Sequence, residues 1–199
     1  MKMGRPSNRT ERRRYLARAF ERALSKHGLG AATVVAVAEE AGVAPGLIHH
    51  HFRDREDLVS ELVRGLLARF RSQLPAETEP ADWLRAYVDA ALALRGRQGR
   101  VSARAWVGLF AEGVRSARVQ GMLQRGLRGE LDRVEDQLRR AGLERPDAER
   151  AAAGILSLIV GCLVFGAVMP GRAVGFAAPF TRATLEVVLA ATATPASAS

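Results

Sequence analysis

The chain has 199 residues, 48% of them hydrophobic and 26% charged, an ordinary balance for a soluble globular protein with a sizeable core. Its formal net charge of +9 is unevenly spread: residues 1–55 carry eleven Lys and Arg against five acids, so six of the nine charges sit in the first quarter. That end suits a polyanionic partner, nucleic acid or an anionic membrane, and the single cysteine, Cys162, excludes an intrachain disulfide and fits a reducing cytoplasm.

The basic start has no apolar segment behind it that reads as a signal peptide. Helical periodicity runs through the chain and no strand-like alternation persists. Leu16, Ala19, Phe20, Ala23 and Leu24 form one stripe, which predicts a helix from about residue 7 to 26 with Gly28 as its stop. Thr33 is a good N-cap for a short helix reaching about residue 41, where "AGVAPG" breaks it. Pro45 suits the first turn of a second short helix over 45–51. Asp54 caps the next, with Glu56 and Asp57 in its first turn, where the helix dipole favours acids. Leu58, Leu62, Leu66 and Phe70 share one face of it, and it ends before Pro75.

After "PAETEP" at 75–80, longer helices are predicted near 81–96, 99–114, 116–142, 147–169 and 175–192. Trp83 and Tyr87 share a helical face, as do Trp106 and Phe110. Together with Leu109, Met122, Leu123, Leu127, Leu163 and Phe165 they are candidates to line a ligand pocket, with ordinary bundle core as the alternative. Residues 151–171 carry no charge and are long enough to span a membrane. Their strongly apolar part is only residues 155–169, which suits a buried core helix better, so no membrane partner is expected. Within this helix Ala153, Ser157 and Gly161 repeat at i+4 and permit close approach of another helix. The fold class is therefore all-α, with about nine helices: a basic unit over 1–54, a larger helical domain over 55–192, and a small polar tail, 193–199, expected to be disordered.

Two short helices joined by "AGVAPG" and braced by longer ones make a helix-turn-helix pattern. Val37, Ala38 and Ala41 give the first an apolar face, Ile48 and Phe52 give the second its match, Gly42 supplies the turn, and Val43 plugs the corner. In "GLIHHHF", residues 46–52, the three histidines fan around the helix about 100° apart and cannot converge on one metal ion. With Ile48 and Phe52 turned in, Gly46, Leu47 and His50 point out, flanked by His49 and His51, a surface suited to phosphates and bases. His51 has a second reading as a packing residue at the helix seam. No nucleophile–base pair, phosphate-binding glycine loop or metal spacing appears, so neither catalysis, cofactor nor metal is expected.

The stretch "TVVAVAEEAGVAPGLIHHHFRDREDLVSEL", residues 33–62, resembles the DNA-binding segment of the TetR family of bacterial repressors. Its pattern is a Thr, an apolar-Ala pair, "AGV", a Gly, an aromatic cluster ending in Phe, then a basic residue, Glu and Leu. The "GLIHHHF" run is most similar to the choline-responsive betaine-pathway repressors within that family. The resemblance implies a cytoplasmic, homodimeric repressor released from a palindromic double-stranded operator by a small-molecule effector. It implies major-groove contacts from Pro45, Gly46, Leu47 and His49, and phosphate contacts from Thr33, His50, His51 and Arg55. Arg5, Arg9, Arg12, Arg13 and Arg14 would form a basic N-terminal arm. It also implies dimerisation through the last two helices, where Ala153, Ser157, Gly161, Phe176, Phe180, Leu185, Val188 and Leu189 are the candidate contacts.

Two positions depart from the family pattern: Ala44 stands where Ser is frequent, removing a side-chain cap, and His49 stands where Tyr is usual. A histidine there makes DNA affinity expected to rise as the pH falls through roughly 6.5. The Leu47 side chain, unable to hydrogen-bond a base, favours an apolar contact such as a thymine methyl. The rival reading is a basic helical protein that coats nucleic acid or an anionic membrane without sequence preference.

Overall fold

The computed structural model describes residues 8–93, 96–172 and 177–193, and every regular element among them is helical. In chain order these are α1 (Asn8–Ala31, broken at Gly28), α2 (Val34–Ala41), α3 (Pro45–His51), α4 (Arg55–Arg71), α5 (Pro80–Ala91), α6 (Gly96–Arg115), α7 (Ala117–Arg140), α8 (Arg145–Val168), the single turn α9 (Pro170–Arg172) and α10 (Ala178–Ala193). α5 stops five residues short of the predicted 96, capped at Leu92, and Gly96, with φ 75°, begins α6.

The chain divides into two compact units, residues 1–69 with 104–124 and residues 70–103 with 125–199. In the first, α1 to α4 and the 104–124 segment enclose one apolar core. Leu16, Phe20, Leu24, Val37, Ile48, Phe52, Leu58 and Leu62 are buried in it with Leu109 and Leu123. The predicted faces of all three short-loop helices thus meet, and Val43 packs on them as the corner plug. In the second unit Leu84, Tyr87, Val88, Val134, Leu138, Ile155, Ile159, Leu185 and Leu189 are buried together, and α10 packs on α8 and α5. Ion pairs Arg85–Glu186 (2.8 Å) and Arg182–Asp89 brace α5 to α10 at the surface.

By length and composition α8 is apolar enough to cross a membrane. One side of it, including Ala148, Ala152, Ile155, Leu156, Ile159 and Cys162, is core. On the other side Ala153, Ser157 and Gly161 are exposed, and the stripe continues to Val164, Phe165 and Val168. Phe165 is a correction: four residues beyond Gly161 on the same face, it is exposed rather than lining an interior pocket. Leu185 and Leu189 are corrected in the opposite sense. They lie on the inner face of α10 and belong to the unit's own core, with Val188 half-buried against it, whereas Phe180 and Val187 are exposed. Phe176 lies outside the described residues.

Candidate nucleic-acid interface

Two short helices and the turn between them build this face, and each end has an identifiable physical cause. The Thr33 hydroxyl caps α2 by accepting the Ala36 N–H at 3.2 Å. α2 ends at Gly42, whose φ of 65° requires glycine. The Gly42 N–H donates to the Glu39 carbonyl at 3.1 Å and the Val43 N–H to that of Ala38 at 3.0 Å, closing the helix in a Schellman arrangement. α3 then starts at Pro45 with Ala44 as an N-cap that makes no side-chain bond, the consequence expected of lacking Ser. Tyr15 braces the turn from α1 by donating its hydroxyl to the Ala41 carbonyl at 2.7 Å. Arg22 does the same one residue back: its Nε reaches Glu40 Oε1 at 2.7 Å and its Nη2 the Glu40 carbonyl at 3.1 Å, and Lys26 pairs with the same carboxylate. Between them the two cations hold the Glu40 carboxyl below the usual carboxylate range, Lys26 first.

α3 is anchored by Ile48, and by Phe52 just past its end, both buried. That leaves Pro45, Gly46, His49 and His50 exposed and Leu47 half-exposed, so the expected base-reading residues share the outer side. His51 is half-buried. Its ring meets that of His50 edge-on at 5.1 Å, and its buried Nδ1 has no hydrogen-bond partner. Burial, and then the positive fields of His50, Arg9, Arg12 and Arg13, push its imidazole below the ordinary value. Among the expected phosphate contacts, His51 therefore fits its second reading, a packing residue, better than a cationic one. Thr33 and Arg55 are exposed at the starts of α2 and α4.

Arg9, Arg12 and Arg14 are exposed on α1, as an arm would need, and Arg5 lies outside the described residues. Arg13 is a correction. Its guanidinium is turned inward, donating to Asp57 through Nη2 (2.7 Å) and Nη1 (3.2 Å) and to Glu61 through Nε (3.1 Å). Nη1 also donates to the His51 carbonyl, and the guanidinium carbon lies 4.2 Å from the centroid of the Phe52 ring. The pairing holds the Asp57 carboxyl below its usual range, the bond from Arg13 being the main cause. A stripe position one residue from two exposed arginines hid this role; the signal was two acids, Asp57 and Glu61, at i and i+4 on the facing helix.

The expected pocket residues fall into two sets. Trp106 stacks on Phe110 (5.7 Å) and, with Leu109, Met122 and Leu123, belongs to the core of the first unit. Trp83 stacks on Tyr87 (5.2 Å) in the second unit, where Leu163 is half-buried against the core and Leu127 is half-buried. Phe70 meets Tyr87 edge-on at 4.9 Å, and Tyr87 also bonds a carboxylate that sequence reasoning missed, Glu130, only 3% exposed. Its spacing was legible: Glu130 falls on the α7 stripe of Leu123, Leu127, Val134 and Leu138.

Residues 17–62 match the family described as bacterial regulatory proteins, tetR family, and residues 80–194 match the BetI-type transcriptional repressor C-terminal family. The HTH-type transcriptional regulator BetI of Rhizobium meliloti (strain 1021) is 31% identical over 156 residues, 77% of this chain and 76% of that protein. That of Stenotrophomonas maltophilia (strain R551-3) is 29% identical over 171 residues, covering 81% and 84%. Among solved structures, a transcriptional regulator from Rhodococcus sp. Rha1 superposes with a TM-score of 0.81 at 20% identity, covering 92% of this chain and 98% of that one. A regulator from Saccharomonospora viridis in complex with choline gives 0.71 at 19% identity, covering 90% and 96%. At such identities the structural likeness is one of fold.

Proposed function

The chain belongs to the TetR family of bacterial regulators with a BetI-type C-terminal domain, a family of DNA-binding transcriptional repressors and not of enzymes, and from that premise we propose how it reads DNA. α3 is the recognition helix: Pro45, Gly46, Leu47 and His49 face base edges in the major groove, while Thr33, His50 and Arg55 contact phosphates with Arg9, Arg12 and Arg14 as the basic arm. The observation that carries this is the division of a seven-residue helix into a buried side at Ile48 and an outer side at Gly46, Leu47, His49 and His50.

One such helix reads few bases, so two copies act on the half-sites of a palindromic operator in the cytoplasm. The exposed apolar stripe of α8, together with Phe180 and Val187 of α10, supports dimerisation through this face rather than burial in lipid. A small-molecule effector releases the operator. The choline in the S. viridis regulator makes a quaternary ammonium the first class to test. Phe70 and Trp83, which both meet the ring of Tyr87, and the Glu130 carboxylate that the Tyr87 hydroxyl bonds offer the chemistry for it.

Selection from a random duplex library should recover a palindrome whose binding survives excess random competitor. His49 and Leu47 substitutions should relax base preference, and Arg55→Ala should weaken all duplexes alike. Binding that random competitor abolishes would identify a non-specific polyelectrolyte binder instead. Choline that leaves the complex with the selected duplex intact would rule out that effector alone.

A further inference from the structure

The inward turn of Arg13 gives it a role in DNA reading that needs no contact with DNA. α3 is only seven residues long, too short to hold its own direction, so its aim depends on what grips its ends. At its N-terminal end the grip is the Gly42 turn. At its C-terminal end one guanidinium donates to the His51 carbonyl, lies over the Phe52 ring, and forks onto Asp57 and Glu61 of α4. A cation at exposed helix carbonyls is also favoured by the helix dipole. The charge of Arg13 is consumed locally, because Asp57 and Glu61 face two guanidiniums, Arg13 and Arg64, the latter 2.9 Å from Glu61. The side chain is mostly buried and leaves little to offer a phosphate.

We infer that Arg13 is a positioning residue for sequence discrimination: it locks the end of the recognition helix to the start of α4, and its loss lets α3 pivot. The inference rests on α3 being the base-reading helix, as proposed above. A planar fork is needed to span three acceptors at once, so lysine does not replace it.

The test measures the affinity of the wild type, Arg13→Gln, Arg13→Lys and Asp57→Asn for the duplex the wild type selects and for a scrambled duplex of equal length, across a salt series. Fold is checked by circular dichroism. The expected result is a loss of about tenfold in the ratio of the two affinities for each variant, with the salt slope on scrambled DNA unchanged. Asp57→Asn is the sharpest arm, since removing a negative charge would by electrostatics alone strengthen binding to every duplex. Rescue of the preference by lysine overturns the inference, as does an equal loss on both duplexes with a slope lowered by about one, the signature of a phosphate contact. An unchanged ratio in the variants also overturns it. Should Arg13→Gln not fold, the lysine and asparagine variants carry the same comparison. A wild type that prefers no duplex removes the base-reading role of α3 itself, which is a different failure.

Discussion

The Tyr87 phenol donates to the buried Glu130 carboxylate at 3.2 Å, and the other carboxylate oxygen accepts from Arg71 Nε at 2.7 Å. Burial first, and then Glu130, raise the Tyr87 phenol far above its ordinary value, so it remains a donor at any working pH. Tyr87→Phe removes one neutral donor while Arg71 still compensates the charge, and should cost about 1 kcal/mol of stability. Arg71→Ala leaves the buried Glu130 carboxylate without its cationic partner and should cost about 3 kcal/mol. Urea unfolding measures both; a milder effect for Arg71→Ala than for Tyr87→Phe would contradict this account of what holds Glu130.

His51 makes the stability of the folded chain fall on mild acidification. Its folded value is depressed, so between that value and the unfolded one, near 6.5, the unfolded chain binds the extra proton. The contribution is complete above about pH 6.5 and is lost as the pH falls below it. Asp57 and Glu40, also depressed, lose theirs only below about pH 4. Thermal melts at fixed salt between about pH 5 and 8 should therefore slope less for His51→Gln than for the wild type. Parallel curves would show that His51 is not the group responsible.

Turn chemistry between α2 and α3 offers two changes of opposite sign. Gly42→Ala meets no steric obstacle within 4 Å, but at φ 65° the added Cβ should cost about 1 kcal/mol. Ala44→Ser supplies the cap that α3 lacks and should stabilise by roughly 0.5–1 kcal/mol. Melting temperatures that move together in one direction would refute the assignment.

The exposed faces of α8 and α10 predict the oligomeric state. Val187 is 71% exposed and Val168 76%, so a charge at either disturbs no core of the single chain. Val187→Glu should leave helicity intact, shift the protein from dimer to monomer in sedimentation, and lower operator affinity at least tenfold because half-sites no longer bind together. A variant that stays dimeric moves the interface elsewhere.

The helix-turn-helix was readable because its physics is local. Thr33 caps the helix it precedes, Gly42 turns where left-handed backbone is required, and Ile48 and Phe52 recur at the spacing of one buried face. The pairs Trp83–Tyr87 and Trp106–Phe110 were legible for the same reason, since residues four apart on a helix meet. What one helical repeat cannot tell is which neighbour its apolar face receives. Leu185 and Phe180 are both large and apolar on α10, yet one is core and the other exposed.

The residues that changed role show where sequence ends. By itself it determined the all-α class, the two short helices, the outward residues of α3 and the basic charge at one end, because periodicity, caps and charge act within a few residues. Only the tertiary structure decided that Arg13 turns inward to Asp57 and Glu61, that His51 Nδ1 is buried without a hydrogen-bond partner, and that Glu130 is buried against Arg71 and Tyr87. Those outcomes depend on groups some 40 to 60 residues apart in the chain, whose desolvation and pairing energies exist only once the helices have packed.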